Sequence, residues 1–197
     1  MSAQPVPRLT VEQYLELERA SDTKHDYYDG QMYETYAMAG GSLRHSLLIA
    51  NLTMLVAQAL KDTRCLVTTA DLLVRTSPQG LHTYPDLAVI CSEPSLADGH
   101  RDILLNPTVV FEVLSPSTEG YDRGLKSAEY RRIESLKEYV LVSQTEPRVE
   151  VFSRGSEGEW ILRDFNGMDA VCRVTSIDVE IPLAEIYRKV PLEKASG

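Results

Sequence analysis

Apolar residues recur every three to four positions in two stretches of the chain and run almost unbroken in several others. Val11, Tyr14, Leu15 and Leu17 follow Thr10-Val11-Glu12-Gln13, with Thr at a cap position and Gln three residues later. That arrangement is a capping box, and it predicts a short helix over 11–20. Leu48, Ile49, Leu52, Leu55, Val56 and Ala59 mark the buried face of a long helix opened by Ser42. Aromatic residues flank Asp29-Gly30 within 24–33, which predicts a β-hairpin, and Gly40-Gly41 then interrupts the chain.

The stretches 65–74 and 82–91 read as two antiparallel strands about a Ser77-Pro78-Gln79-Gly80 turn, and 92–106 as a polar surface loop. A continuous apolar run over 107–114 predicts a strand buried on both faces. It is followed by a turn at 115–120, a helix over about 122–134 and a strand over 136–142. A strand–helix–strand order of this kind implies a parallel, right-handed crossover. Strands at 148–154 and 160–164, an extended segment at 174–181, a short helix at 183–188 and a frayed tail at 193–197 complete the pattern. His82 and Asp98 fall at loop or turn positions in this reading. The expected fold class is α/β (α+β), a mixed central sheet flanked by helices. One domain spans 1–197, with an N-terminal helix and hairpin at about 9–36, a core at about 42–143 and C-terminal strands with a short helix at about 148–188.

Composition changes this picture little. The chain has 197 residues, 43% hydrophobic and 25% charged, which suits one domain with a sizeable core. No apolar run approaches the roughly 20 residues of a membrane span, and residues 1–10 lack the apolar stretch of a signal peptide. Cys65, Cys91 and Cys172 are odd in number and lack C-x-x-C spacing, so neither a disulfide framework nor a zinc site is expected. A reducing cytoplasm is the simplest compartment. The formal net charge of −9 argues against a protein that coats nucleic acid. It leaves room for an enzyme with a local basic patch and a bound metal.

The candidate chemistry lies between Tyr84 and Tyr130. Asp86 and Glu112 each interrupt an apolar, strand-forming run, and a carboxylate in such a run needs a cation or several hydrogen-bond donors. Either acid alone reads more simply as a strand-end residue capped by backbone donors or a nearby Arg. Together on neighbouring strands they suit Mg²⁺ or Mn²⁺, with the carbonyl near Val113 as a further oxygen ligand. Asp122, Lys126 and Tyr130 follow at intervals of four on the next helix. That spacing describes an exposed salt bridge as well as an active-site lysine, with Leu125, Ala128 and Ile133 as the stripe facing the core. His45, near the start of the long helix, is either a core histidine or a residue directed into a pocket. Arg123, Arg131, Arg132 and Lys137 form a local basic cluster, either a solvated face or a phosphate contact.

These residues carry a resemblance. Asp26-Tyr27-Tyr28-Asp29-Gly30, His45, Tyr84-Pro85-Asp86, the run from Phe111 to Thr118, Asp122-Arg123-Gly124-Leu125-Lys126, Tyr130 and Glu138-Tyr139 look like the Uma-two (Uma2) family. That is a family of restriction-endonuclease-like proteins within the PD-(D/E)XK nuclease superfamily. The resemblance covers about 9–187 and implies a restriction-endonuclease-like core. It implies metal ligands at Asp86 and Glu112 and a lysine that has migrated to the following helix as Lys126. In the wider superfamily the lysine lies two residues after the acid, where this chain has Leu114. Asp26 stands where the family usually has Glu. His45 and Asp71 fall on positions the family favours and are expected in the site wall.

The expected function is therefore a Mg²⁺- or Mn²⁺-dependent endonuclease acting on DNA. Asp86, Glu112 and Lys126 would be catalytic, and His45, Asp71, Asp122 and Tyr130 would shape the pocket. A homodimer would suit an enzyme that cuts both strands. The alternative is a catalytically inactive nuclease scaffold that serves as a binding or assembly module. A hydrolase using Ser115 or Ser117 is disfavoured, because neither serine lies in a nucleophile elbow.

Overall fold

The computed structural model describes residues 8–34, 42–97 and 99–192. The Gly40-Gly41 interruption, Asp98 and the tail at 193–197 lie outside the described residues.

Local signals set the first elements. Helix α1 (Val11–Ala20) is opened by the capping box, with Thr10 accepting from the Gln13 amide and Gln13 accepting from the Thr10 amide. Strands β1 (His25–Tyr28) and β2 (Gln31–Glu34) pair across Asp29-Gly30, where φ is 48° and 79°. Two positive φ values in a two-residue hairpin loop match the twist of the flanking strands. Helix α2 (Leu43–Leu60) starts at Ser42, whose Oγ accepts from the His45 amide at 3.1 Å. By length and composition α2 passes as a membrane span, but Leu48, Leu52, Val56 and Leu60 pack into the main core.

The next two predicted strands each divide in two. Residues 65–74 yield β3 (Leu66–Thr69) and β4 (Leu73–Arg75), and 82–91 yields β5 (His82–Thr83) and β6 (Leu87–Ile90). Pairing is antiparallel as expected, β3 with β6 and β4 with β5, but in two different sheets. The breaks have local causes. A tight turn bonds the Leu72 amide to the Thr69 carbonyl, and Pro85, which has no N–H to give a ladder, separates β5 from β6. His82 is thus a fully buried strand residue, not a turn residue. The surface loop after β6 also contributes β7 (Ile103–Leu104), which runs parallel to β4.

The central sheet continues with β8 (Val109–Leu114), β9 (Glu138–Ser143), β10 (Arg148–Arg154) and β11 (Trp160–Asn166). Its order is β11-β10-β9-β8-β6-β3, with β8 and β9 parallel as the crossover requires. The second sheet has order β2-β1-β5-β4-β7, so the N-terminal hairpin is built into the body of the molecule. The segment 174–181 is two strands, β12 (Val171–Val174) and β13 (Val179–Pro182), joined by a 3₁₀ turn at Thr175–Ile177. Helix α5 closes the described chain at Leu183–Ile186, preceded by the short helices α3 (Glu119–Tyr121) and α4 (Ser127–Tyr130) of the crossover.

Side chains alternate across β8. Val109, Phe111 and Val113 join α2, β13 and α5 in one core, while Val110 and Leu114 join Tyr130, Ile133, Tyr139 and Leu141 in a second. Glu112, by the same alternation, points to the side of the crossover helices. The result is the expected mixed sheet covered on both faces, an α/β (α+β) fold.

The cysteine expectation is corrected. Cys65 and Cys91 flank the paired residues Leu66 and Ile90, so antiparallel register sets them opposite one another, and they form a disulfide. Cys172 is buried and free. An odd total says nothing about two cysteines that register brings together.

Candidate active site

The site is a consequence of strand register. Leu87 pairs with Phe111, so the residue before one, Asp86, falls beside the residue after the other, Glu112. The Asp86 amide donates to Glu112 Oε2 at 3.4 Å, and the Val113 amide donates to Asp86 Oδ2 at 2.7 Å. His45, at the start of α2, brings Nε2 to 3.4 Å from the same Asp86 oxygen.

The crossover supplies the cation. Asp122–Lys126 forms a π-helical turn between α3 and α4, a widening that often marks functional positions. Lys126 Nζ lies 3.0 Å from Glu112 Oε1 and 3.4 Å from Asp122 Oδ1. The Tyr130 hydroxyl donates to Glu112 Oε1 at 3.1 Å. Lys126 is 8% exposed, Asp122 3% and Tyr130 0%, so the ambiguous stripe is the buried one. This corrects the expected facing of the helix: Ala128 is exposed and Leu125 only half-buried, while Ile133 reaches the core. A stripe of Asp, Lys and Tyr reads as polar in sequence, yet it is buried because its groups satisfy each other and Glu112.

Burial dominates the electrostatics. It pushes the Glu112 carboxyl up, partly offset by Lys126, and pushes Asp122 up in the same way. Burial alone would lower Lys126, but Glu112 and Asp122 hold it well above the usual lysine range. Burial would likewise lower His45, and the Asp86 carboxylate with the Val113 backbone reverses the sign. The site is a lysine ammonium facing more carboxylates than it can neutralise.

These groups open onto a cavity of about 530 Å³. The second sheet contributes Asp26 and Tyr33 to it, the link between β5 and β6 contributes Tyr84, and the turn after β8 contributes Ser115–Thr118. Tyr121 also lines it and donates through its hydroxyl to Asp26 Oδ2 at 3.1 Å. Asp26 Oδ1 is buried with no hydrogen-bond partner among the described residues, and burial pushes the Asp26 carboxyl up. Ser42 Oγ donates to Gln144 Oε1 at 2.5 Å on another part of the wall.

His45, Asp86, Glu112, Val113, Asp122 and Lys126 therefore share one cavity, and Tyr130 stands directly behind Glu112. Asp71 does not share it. It sits in the turn between β3 and β4, with its side chain 89% exposed and paired to Lys24 at 2.5 Å. Two members of the basic cluster are engaged elsewhere: Arg123 pairs with Glu119 and Glu150, and Arg132 with Glu129. Ser115 Oγ contacts Ser117 and Thr118 and accepts from the Thr118 amide, which is turn chemistry, not that of a nucleophile. Tyr84 stands in the Tyr84-Pro85-Asp86 motif, whereas Tyr33 had no signal in the sequence, because a hairpin's position against a distant strand is not a local property.

Two curated relatives align over most of their length. The uncharacterized protein slr1290 of Synechocystis is 34% identical over 184 residues, 93% of this chain and 94% of the relative. The uncharacterized protein sll1609 of the same organism is 32% identical over 162 residues, 82% and 90% of the two chains. The crystal structure of a protein from Anabaena variabilis, titled a "putative nuclease", superposes with a TM-score of 0.73 at 17% identity, covering 93% of this chain and 98% of that one. It shares the fold. Residues 11–184 match the Uma2 family, described as "Putative restriction endonuclease", and the chain belongs to that family.

Proposed function

We propose that this protein is a divalent-metal-dependent endonuclease that hydrolyses DNA phosphodiester bonds. The observation that carries the reading is the 3.0 Å contact between Lys126 and Glu112 in the cavity that also holds Asp86. The lysine absent from β8 at Leu114 is thereby supplied from the π-helical turn.

The residues present fit Mg²⁺ or Mn²⁺. Asp86, Glu112 and the Val113 carbonyl are oxygen donors, and Mg²⁺ is commonly held by one or two carboxylates with water and substrate phosphate completing the set. Among the described residues no three His, Cys, Asp or Glu side chains form a preformed cage. Asp26, Glu34, Asp86, Glu112 and Asp122, among the described residues that line the cavity, set five carboxylates against one lysine, a surplus that a divalent cation would offset. A bound metal would supply Lewis acidity toward the phosphoryl group and lower the pKa of a water.

The chain's own groups have separate tasks. The Val113 amide and the Tyr130 hydroxyl fix the orientations of Asp86 and Glu112. Lys126 keeps a positive charge where negative charge develops on the phosphoryl group. His45 adds a second donor beside Asp86. The test is cleavage of plasmid and oligonucleotide DNA with Mg²⁺, Mn²⁺ or EDTA by wild type and Asp86→Ala. The reading expects metal-dependent cleavage that Asp86→Ala abolishes, and folded wild type that cuts with neither metal contradicts it.

A further inference from the structure

We infer that the site takes an unstacked, single-stranded segment of nucleic acid, with one base held on Tyr33, in preference to an intact duplex. The inference rests on the nuclease reading above and goes further in naming the form of the substrate.

Three observations carry it. First, the groups that must meet the phosphate are recessed: Asp86 is 9% exposed and Glu112 3%. They stand in the wall of a cavity of about 530 Å³, a volume that suits a small-molecule-sized group. A single strand can lower one whole nucleotide into such a space, whereas a nucleotide of a duplex must first leave the stack.

Second, the cavity offers few cations to the phosphates of either form of nucleic acid. Among the described residues that line it, Lys126 is the one lysine or arginine, and it is committed to Glu112 and Asp122. Arg123 and Arg132 are held by acids outside it. Phosphate neutralisation therefore contributes little in this cavity for duplex and single strand alike, which leaves contact with a base face as the source of affinity, and only an unstacked base offers that face.

Third, the wall is aromatic where a strand would pass. Tyr33 pairs in register with Asp26 across the β1–β2 hairpin, so its ring lies on the side of the hairpin that faces the site. It is 44% exposed, and among the described residues its hydroxyl donates to Gln31 close by in the same strand. The ring face is thus available without disturbing the buried network. Leu125 and Pro116 add apolar surface to the same cavity. Aromatic stacking is the sequence-tolerant way to hold an unpaired base.

The experiment compares Mn²⁺-dependent cleavage of a labelled single-stranded oligonucleotide with that of the same strand in a duplex, by wild type, Tyr33→Ala and Tyr33→Phe. The expected result is at least tenfold faster cleavage of the single strand by wild type. Tyr33→Ala should lose about tenfold in kcat/KM on it, mainly through KM, and Tyr33→Phe should retain it. Equal or faster cleavage of the duplex overturns the inference and leaves the nuclease reading standing. An unchanged KM in Tyr33→Ala overturns the role of the ring. Cleavage of neither substrate overturns the nuclease reading and this inference with it.

Discussion

Lys126 Nζ and Glu112 Oε1 lie 3.0 Å apart, both buried, although Glu112 stands on β8 and Lys126 ends the π-helical turn of the crossover. An ion pair in this position has two roles that mutation can separate. Removing one charge strands the other, whereas removing both leaves a packed neutral pair. Lys126→Met is expected to destabilise the fold by about 3 kcal/mol. The double variant Glu112→Gln with Lys126→Met should recover most of that loss and none of the activity. Denaturant titration of the two variants and wild type checks this, and equal stability of single and double variants would refute the coupling.

Tyr130 supports the same carboxylate without charge. Its hydroxyl donates to Glu112 Oε1 at 3.1 Å from a fully buried ring that tilts against Tyr139. Tyr130→Phe keeps the packing and removes the donor. The expected cost is about 1–2 kcal/mol by denaturant titration. Cleavage should fall while the metal-free fold is retained.

A second buried acid provides the contrast. Glu138 on β9 accepts from Ser153 Oγ, from the Thr175 amide and hydroxyl, and from the Ser176 amide and hydroxyl. It is satisfied by donors on β10 and the 3₁₀ turn and does not line the site cavity. Glu138→Ala leaves five donors without their acceptor and should destabilise by about 3 kcal/mol, while activity per folded molecule is unchanged. Melting curves together with rates normalised to folded protein distinguish this structural acid from the site acids.

His82 gives the fold a pH dependence. Its ring is fully buried edge-on to Tyr14 and Tyr27, Nδ1 lies 3.1 Å from the Gly80 carbonyl, and Nε2 has no partner among the described residues. Burial lowers it from 6.5 to about 4. The unfolded chain therefore binds the proton first as pH falls. The stabilisation from neutral His82 is complete above pH 6.5 and is lost progressively down to about pH 4. His82→Phe should flatten the slope of unfolding free energy against pH in that window, by up to about 1.4 kcal/mol per pH unit.

Much of this arrangement was legible in the residues, and the exceptions share a cause. Thr10, Ser42 and Asp29-Gly30 act through bonds to near neighbours, so their elements stand where the pattern places them. The acids of Asp86 and Glu112 announced themselves because a carboxylate interrupts an apolar run conspicuously. What was hidden depends on long-range pairing. The division of 65–74 and 82–91 between two sheets, the Cys65–Cys91 disulfide and the exposed position of Asp71 all follow from which strand lies beside which. The facing of the crossover helix was misread for a different reason. Polar residues usually mark the wet side, and here they mark the buried one.

The central claim is that Lys126 completes the site that Asp86 and Glu112 begin. The most direct measurement is single-turnover cleavage of a labelled DNA strand with saturating Mn²⁺ by wild type, Asp86→Ala and Lys126→Ala, at a temperature where each is shown by circular dichroism to be folded. The account predicts cleavage by wild type alone. Near-normal rates in folded Lys126→Ala would contradict it, reducing the lysine to a structural counter-ion, and no cleavage by wild type would leave the chain a nuclease fold without the chemistry.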